Sequence, residues 1–198
     1  MKSWSMGALA VVLALNSGNA LGKEAGWTQE EWAACRDGSE LVKALRNEVS
    51  WTGAEKRFLL VQATCECVRL ALPYLPKDDN RVKEAVDAVE KSARNKEESV
   101  NAARNAYDDL IRAVPYMNAP QGVPIRLLTS TYIAAGYAAA AAIIDESEHA
   151  VEAAAYSVEC AANAVETATR NPDDRARVLA KCAEIIRKYF PEPPAAGK

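Results

Sequence analysis

The sequence predicts an all-α fold: a compact bundle of about six to eight helices around a long alanine-rich central hairpin or helix. Three observations carry this. Residues 133–168 are dominated by alanine, lack proline, and lie in a stretch with no lysine or arginine between Leu127 and Thr169. Alanine has the highest helix propensity and loses no side-chain entropy on ordering, and its small side chain lets helix backbones approach closely. Elsewhere apolar residues recur at three- and four-residue steps, and no period-two run flanked by hairpin turns suggests a strand.

The first 22 residues read as a secretory signal. Lys2 supplies the positive start, Met6 to Leu15 form an uncharged apolar run, and small residues follow around Gly18, Ala20 and Gly22. The run is shorter than the roughly 20 residues that span a bilayer, so no stable membrane anchor is expected after cleavage. This places the mature protein in the periplasm or secretes it. The alternative is a start placed too early on a cytoplasmic protein.

A single helical domain is expected over residues 27–190, with a flexible tail over 191–198. Thr28 and Glu31 fit a capping box for a short helix carrying Trp32. Ser39 reads as the next N-cap, with Leu41, Ala44, Leu45 and Val49 on one face. Trp51-Thr52-Gly53 reads as a turn. From Ala54, the stripe Phe58, Val61, Cys65, Val68 and Leu72 predicts a helix that Pro73 and Pro76 end or kink. Asp78-Asp79-Asn80 caps the next, marked by Val82, Ala85, Val86 and Val89. Val100, Ala103, Tyr107, Leu110, Ile111 and Val114 mark another, beginning near Glu97. Residues 115–124, with three prolines and Gly122, form the longest irregular link.

The alanine segment comes next. Asp145-Glu146-Ser147-Glu148 is either an internal capping box or an exposed patch on one continuous helix. Val151, Ala154, Val158, Ala161, Val165 and Ala168 form a heptad-like seam, for which packing within the chain is favoured over dimerisation. Asn171-Pro172-Asp173 ends the segment. Val178, Leu179, Cys182, Ile185, Ile186 and Tyr189 give a final amphipathic helix.

Opposite the seam, Asp145, Glu148, Glu152, Glu159 and Glu166 fall within about 60° of one another on a helical wheel, with Tyr156 and Asn163 on the same face. No lysine four residues away relieves these like charges. The stripe is either an ordinary solvated face or an acidic docking surface for a basic partner.

Catalytic chemistry is not legible. The one histidine, His149, has no second histidine or cysteine at metal-ligand spacing. There is no glycine-rich phosphate loop and no GxSxG elbow, so no catalytic residue, cofactor or metal site is expected. A net charge of −3 and a pI of about 5.4, without any basic run, argue against nucleic-acid binding. The five cysteines cannot all pair within one chain. Cys65 and Cys67 lie about 200° apart on a helix, and small buried hydrophobes are favoured over a disulfide framework.

Three stretches resemble a family of bacterial alanine-rich helical proteins without assigned function. They are Glu31-Trp32-Ala33-Ala34-Cys35-Arg36-Asp37; Lys56-Arg57-Phe58-Leu59-Leu60 through Cys65-Glu66-Cys67-Val68-Arg69; and Cys182 through Tyr189-Phe190-Pro191. The chain departs from that pattern in placing Glu66 between its two cysteines. The middle, around Ala71-Leu72-Pro73-Tyr74, Arg81 to Val86, Ala135-Gly136-Tyr137-Ala138 and His149 to Tyr156, resembles immunity proteins of bacterial polymorphic-toxin systems. The resemblance implies a helical domain that binds a toxin-like protein. The expected function is therefore a non-enzymatic, immunity-like binding domain that docks a basic partner through the acidic face. The alternative is an exported structural or scaffold protein with no toxin partner.

Overall fold

The alanine-rich segment folds as two helices rather than one. In the computed structural model, which describes residues 26–47, 54–94, 99–113, 122–143 and 147–194, the described chain is entirely helical apart from turns. Eight α-helices are described: α1 (Gln29–Ala34), α2 (Gly38–Ala44), α3 (Ala54–Arg69), α4 (Arg81–Arg94), α5 (Ser99–Ala113), α6 (Ile125–Ile143), α7 (Ser147–Thr169) and α8 (Pro172–Tyr189). Short 3-10 turns follow α2 (Leu45–Asn47) and α3 (Leu72–Tyr74). Residues 1–25, Val49, Trp51-Thr52-Gly53, most of the 115–124 link and Asp145 lie outside the described residues.

Helices α6 and α7 form the central hairpin. The Ser157 hydroxyl donates to the Ala134 carbonyl at 2.7 Å, and the Tyr137 and Tyr156 rings meet edge to face at 4.7 Å. Helix α6 is buried almost all round, from Leu127 to Ala141, as a core helix must be. The α4–α5 pair covers α6 on one side, α2 and α8 cover α7 on the other, and α3 threads between, touching α4, α6, α7 and α8. Alanines at the contacts allow this central position: Ala154 and Ala161 are fully buried, and Val151, Val158 and Val165 nearly so. The heptad-like seam is thus filled from within the chain. Its last member, Ala168, is only half-buried.

The position of α3 explains why its predicted stripe was too narrow. Val61, Cys65 and Val68 are buried as expected, and so are Leu60, Ala63, Thr64 and Cys67 on other faces. The buried Thr64 hydroxyl is satisfied by the Leu60 carbonyl at 2.8 Å. Cys65 and Cys67 do point apart: the Cys65 thiol approaches the Val86 carbonyl of α4, whereas Cys67 meets Cys182 of α8.

Several local expectations hold. Thr28 and Glu31 form a reciprocal capping box. Helix α3 ends at Arg69, before Pro73, and Val82, Ala85, Val86 and Val89 are all buried. The alanine segment ends at Thr169, before Asn171-Pro172-Asp173, where Asn171 has the further role of capping α8 with Pro172 in its first turn. One needs correction. Asp37, not Ser39, caps α2: its carboxylate accepts the amides of Ser39 and Glu40, and Ser39 donates its hydroxyl to the same oxygen. Both residue types make good caps, and the two stand only two positions apart. Beyond Phe190 the chain leaves Pro191 and Glu192 exposed and buries Pro194, and residues 195–198 lie outside the described residues.

Residues 31–37, 66–67 and 182–190 meet at one end of the molecule. The Trp32 indole, fully buried, donates to the Phe190 carbonyl at 3.1 Å. Arg187 donates to the carbonyls of Trp32 and Cys35 at 3.2 and 2.7 Å, closing the C-terminus of α1. Glu66 accepts from Lys188 and from the Tyr189 hydroxyl. Gly38 sits against Cys182 so closely that a Cβ there would lie 2.5 Å from the Cys182 Cβ. These residues tie α1 and α2 to α8 and α3, a structural use for all three stretches.

Candidate functional site

The acidic face of α7 lies against cations from three other elements: α2, the 3-10 turn that follows it, and α8. Lys43 of α2 reaches Glu159 and its own neighbour Glu40, both at 3.0 Å. Arg46, just beyond α2, pairs with Glu148 and lies 3.4 Å from Glu152. Arg175 of α8 donates to Asn163 at 2.8 Å and stands 4.0 Å from Glu166. Partial burial lowers the Lys43 pKa, but Glu40 and Glu159 outweigh this and hold it above the usual lysine value. Tyr156 is half-buried against Tyr137.

The like charges that no lysine within α7 relieves are therefore relieved from across the fold. The stripe fastens α2 and α8 to α7 instead of standing open. Lys43 and Glu159 are 116 residues apart in the chain, beyond the reach of a helical-wheel argument. Each such half-exposed pair contributes about 0.2–1 kcal/mol.

A second acidic feature lies between α4 and α5. Ala85 and Ala88 of α4 face Ala102, Ala106 and Leu110 of α5, and Arg81, Glu84, Asn105, Asp109 and Tyr132 complete a groove of about 470 Å³. The lining positions on α4 follow i, i+3, i+4, i+7 spacing, so one face of each helix supplies the walls. Four of the facing positions are alanine, whose side chains end at Cβ and leave the space between the two helices unfilled.

The charges of this groove are unequal. Arg81 is neutralised by Asp79, its Nε and Nη2 each 3.0 Å from a carboxylate oxygen. The buried Tyr132 hydroxyl donates to both Asp79 oxygens at 2.9 Å, and the Arg81 guanidinium lies 5.1 Å from the Tyr132 ring centroid. Burial raises the Asp79 pKa, but Arg81 and Tyr132 together hold it below the ordinary carboxylate value. Glu84 and Asp109 make no ion pair or side-chain hydrogen bond among the described residues. The groove thus keeps two uncompensated carboxylates over an apolar floor. Its sequence signal, paired alanines with one acid on each of two consecutive helices, is too common in alanine-rich chains to stand out.

Among the described residues no three His, Cys, Asp or Glu side chains cluster as a metal site, and no helix is long and apolar enough to cross a membrane. His149 is exposed near the start of α7. Comparison of the chain with protein-family models, curated proteins and solved structures gives no match.

Proposed function

We propose that this chain is a non-enzymatic binding domain, immunity-like in kind, that docks a basic protein. The observation that carries this reading is the α4–α5 groove, where Glu84 and Asp109 stand unpaired beside an alanine floor. A lysine or arginine side chain matches both features: its methylene stem covers apolar surface while its cationic head stays at the polar rim. The α7 stripe supports the reading less, because its carboxylates already face Lys43, Arg46 and Arg175. With the N-terminal segment acting as a signal, the domain would meet its partner outside the cytoplasm.

The test begins with partners captured from native lysate and continues with affinity measured on the purified partner. Glu84→Lys with Asp109→Lys should weaken binding about tenfold or more, mainly through slower and salt-sensitive association. Glu152→Lys with Glu159→Lys should lower domain stability, by breaking the contacts with Arg46 and Lys43, and leave affinity nearly unchanged. Loss of binding in the stripe variant alone would move the interface to α7. Unchanged binding in both variants, or no partner at all, would favour an exported scaffold protein.

A further inference from the structure

The long cation-free stretch is bounded by Arg126 and Arg170, and the fold brings these two arginines together. The α6–α7 hairpin reverses the chain, so residues near its two ends share its open end. There Arg126, Thr129, Ser130, Asn163, Glu166, Thr167, Arg170 and Pro172 line a cavity of about 630 Å³. It is separate from the α4–α5 groove.

The donors of this cavity are not equivalent. Thr129 and Thr167 direct their hydroxyl protons to the Ile125 and Asn163 carbonyls of their own helices. Ser130 has no such bond. Asn163 accepts from Arg175 through its Oδ1, which leaves its NH₂ group as the free donor. Glu166, the one carboxylate of the lining, faces Arg175. Arg126 and Arg170 are exposed, and neither guanidinium has an ion-pair or hydrogen-bond partner among the described residues, the Arg170 backbone amide alone donating to the Glu166 carbonyl at 2.8 Å. Two unpaired guanidiniums, one hydroxyl and one amide therefore remain, while the local acid has its own cation.

Arg170 also stands where a side chain is disfavoured. Its φ of 57° is left-handed, the only such value at a non-glycine among the described residues. Helices commonly end this way with glycine, which has no Cβ to clash. An arginine retained in that conformation, beside a second unpaired arginine, is the kind of local strain that accompanies a ligand clamp.

We infer that this cavity binds the phosphate group of a small organic phosphate monoester. The free donors exceed what a carboxylate's two oxygens can take, and they suit the three terminal oxygens of a phosphate dianion. The volume leaves room for an organic moiety beyond the phosphate.

The experiment titrates full-length protein with inorganic phosphate, glycerol phosphate and acetate at fixed ionic strength, following backbone amides by NMR. Phosphate should bind saturably, with shifts concentrated at residues 125–130 and 163–172, and acetate should not. Tighter binding of glycerol phosphate would show that the organic part is read, and equal binding that the phosphate alone is. Arg126→Gln and Arg170→Gly should each weaken phosphate binding at least tenfold. Arg170→Gly removes the left-handed side chain and should not unfold the protein, so loss of binding there cannot be attributed to unfolding. Non-saturable or dispersed shifts, equal binding of acetate, or undiminished binding in both variants would overturn the inference.

Discussion

Replacing Gly38 by alanine should destabilise the domain by about 1–3 kcal/mol. Non-bonded carbon atoms pack best about 3.5–4.0 Å apart. A Cβ at residue 38 would lie 2.5 Å from the Cys182 Cβ, and 2.9 Å from both the Cys182 carbonyl carbon and the Ala183 nitrogen. Two of these atoms belong to the backbone of α8, so no change of rotamer removes the overlap. Helices α2 and α8 would have to part by on the order of 1 Å, beyond what a close-packed interior accommodates freely. That movement would strain the Trp32 to Phe190 bond and the two bonds from Arg187, which hold the same end together.

An opposing effect must be weighed. Alanine favours helix over glycine by about 1 kcal/mol in a helix interior, and less at this first helical position. It also lowers the entropy of the unfolded chain, worth about 0.4–1 kcal/mol. Gly38 is not left-handed, so both gains apply. Overlap with fixed backbone should still outweigh them. Urea unfolding followed by circular dichroism should show a lower midpoint with unchanged slope, and the melting temperature should fall by about 2–4 °C for each kcal/mol. Adding Cys182→Gly should not restore stability, because the two backbone contacts remain. A Gly38→Ala protein as stable as the wild type would refute the close approach of α2 and α8.

Asp79→Asn should lower stability near neutral pH by about 1–2 kcal/mol, because it removes the charge that Arg81 and Tyr132 share. Since the folded pKa lies below the unfolded value of about 3.9, this contribution is complete above roughly pH 4 and is lost as pH falls through the folded value. The two proteins should therefore converge in acid, and a constant gap down to pH 2 would show that the charge is not the cause. The cysteines should resist iodoacetamide in the native protein, because burial pushes the thiols of Cys65 and Cys160 up to about 12 and raises Cys35 and Cys67 as well. Mass spectrometry should find Cys65, Cys67, Cys160 and Cys182 modified only after unfolding, with the partly exposed Cys35 the first to label, and fast native labelling of Cys65 would contradict the position of α3.

What the sequence determined by itself was local and periodic. Helix propensity and spacing placed α3, α4 and α8 and most of their buried positions, because the alternation of apolar and polar residues records which face is covered, and marked 133–168 as helical while leaving open whether it forms one helix or a hairpin. The cap at Thr28 was legible, the cap of α2 was misassigned where Asp37 and Ser39 competed, and Asn171 was visible only as part of a break, not as the cap of α8. The burial of α3 on several faces was not legible, since only its neighbours decide how much of a helix is covered.

The sites depended on tertiary structure to a greater degree. The carboxylates of α7 were visible in the sequence as a stripe of like charge, but the partners Lys43, Arg46 and Arg175 come from elements distant in sequence. Glu84 and Asp109 are unremarkable in the sequence and gain meaning only when α4 and α5 set two rows of alanine side by side. Arg126 and Arg170 were visible as the bounds of a cation-free stretch, and their meeting followed only from the reversal of the chain between α6 and α7. Periodicity fixes which face of a helix points inward, whereas charge compensation and cavities depend on which helices become neighbours, and that is decided by packing across the whole chain.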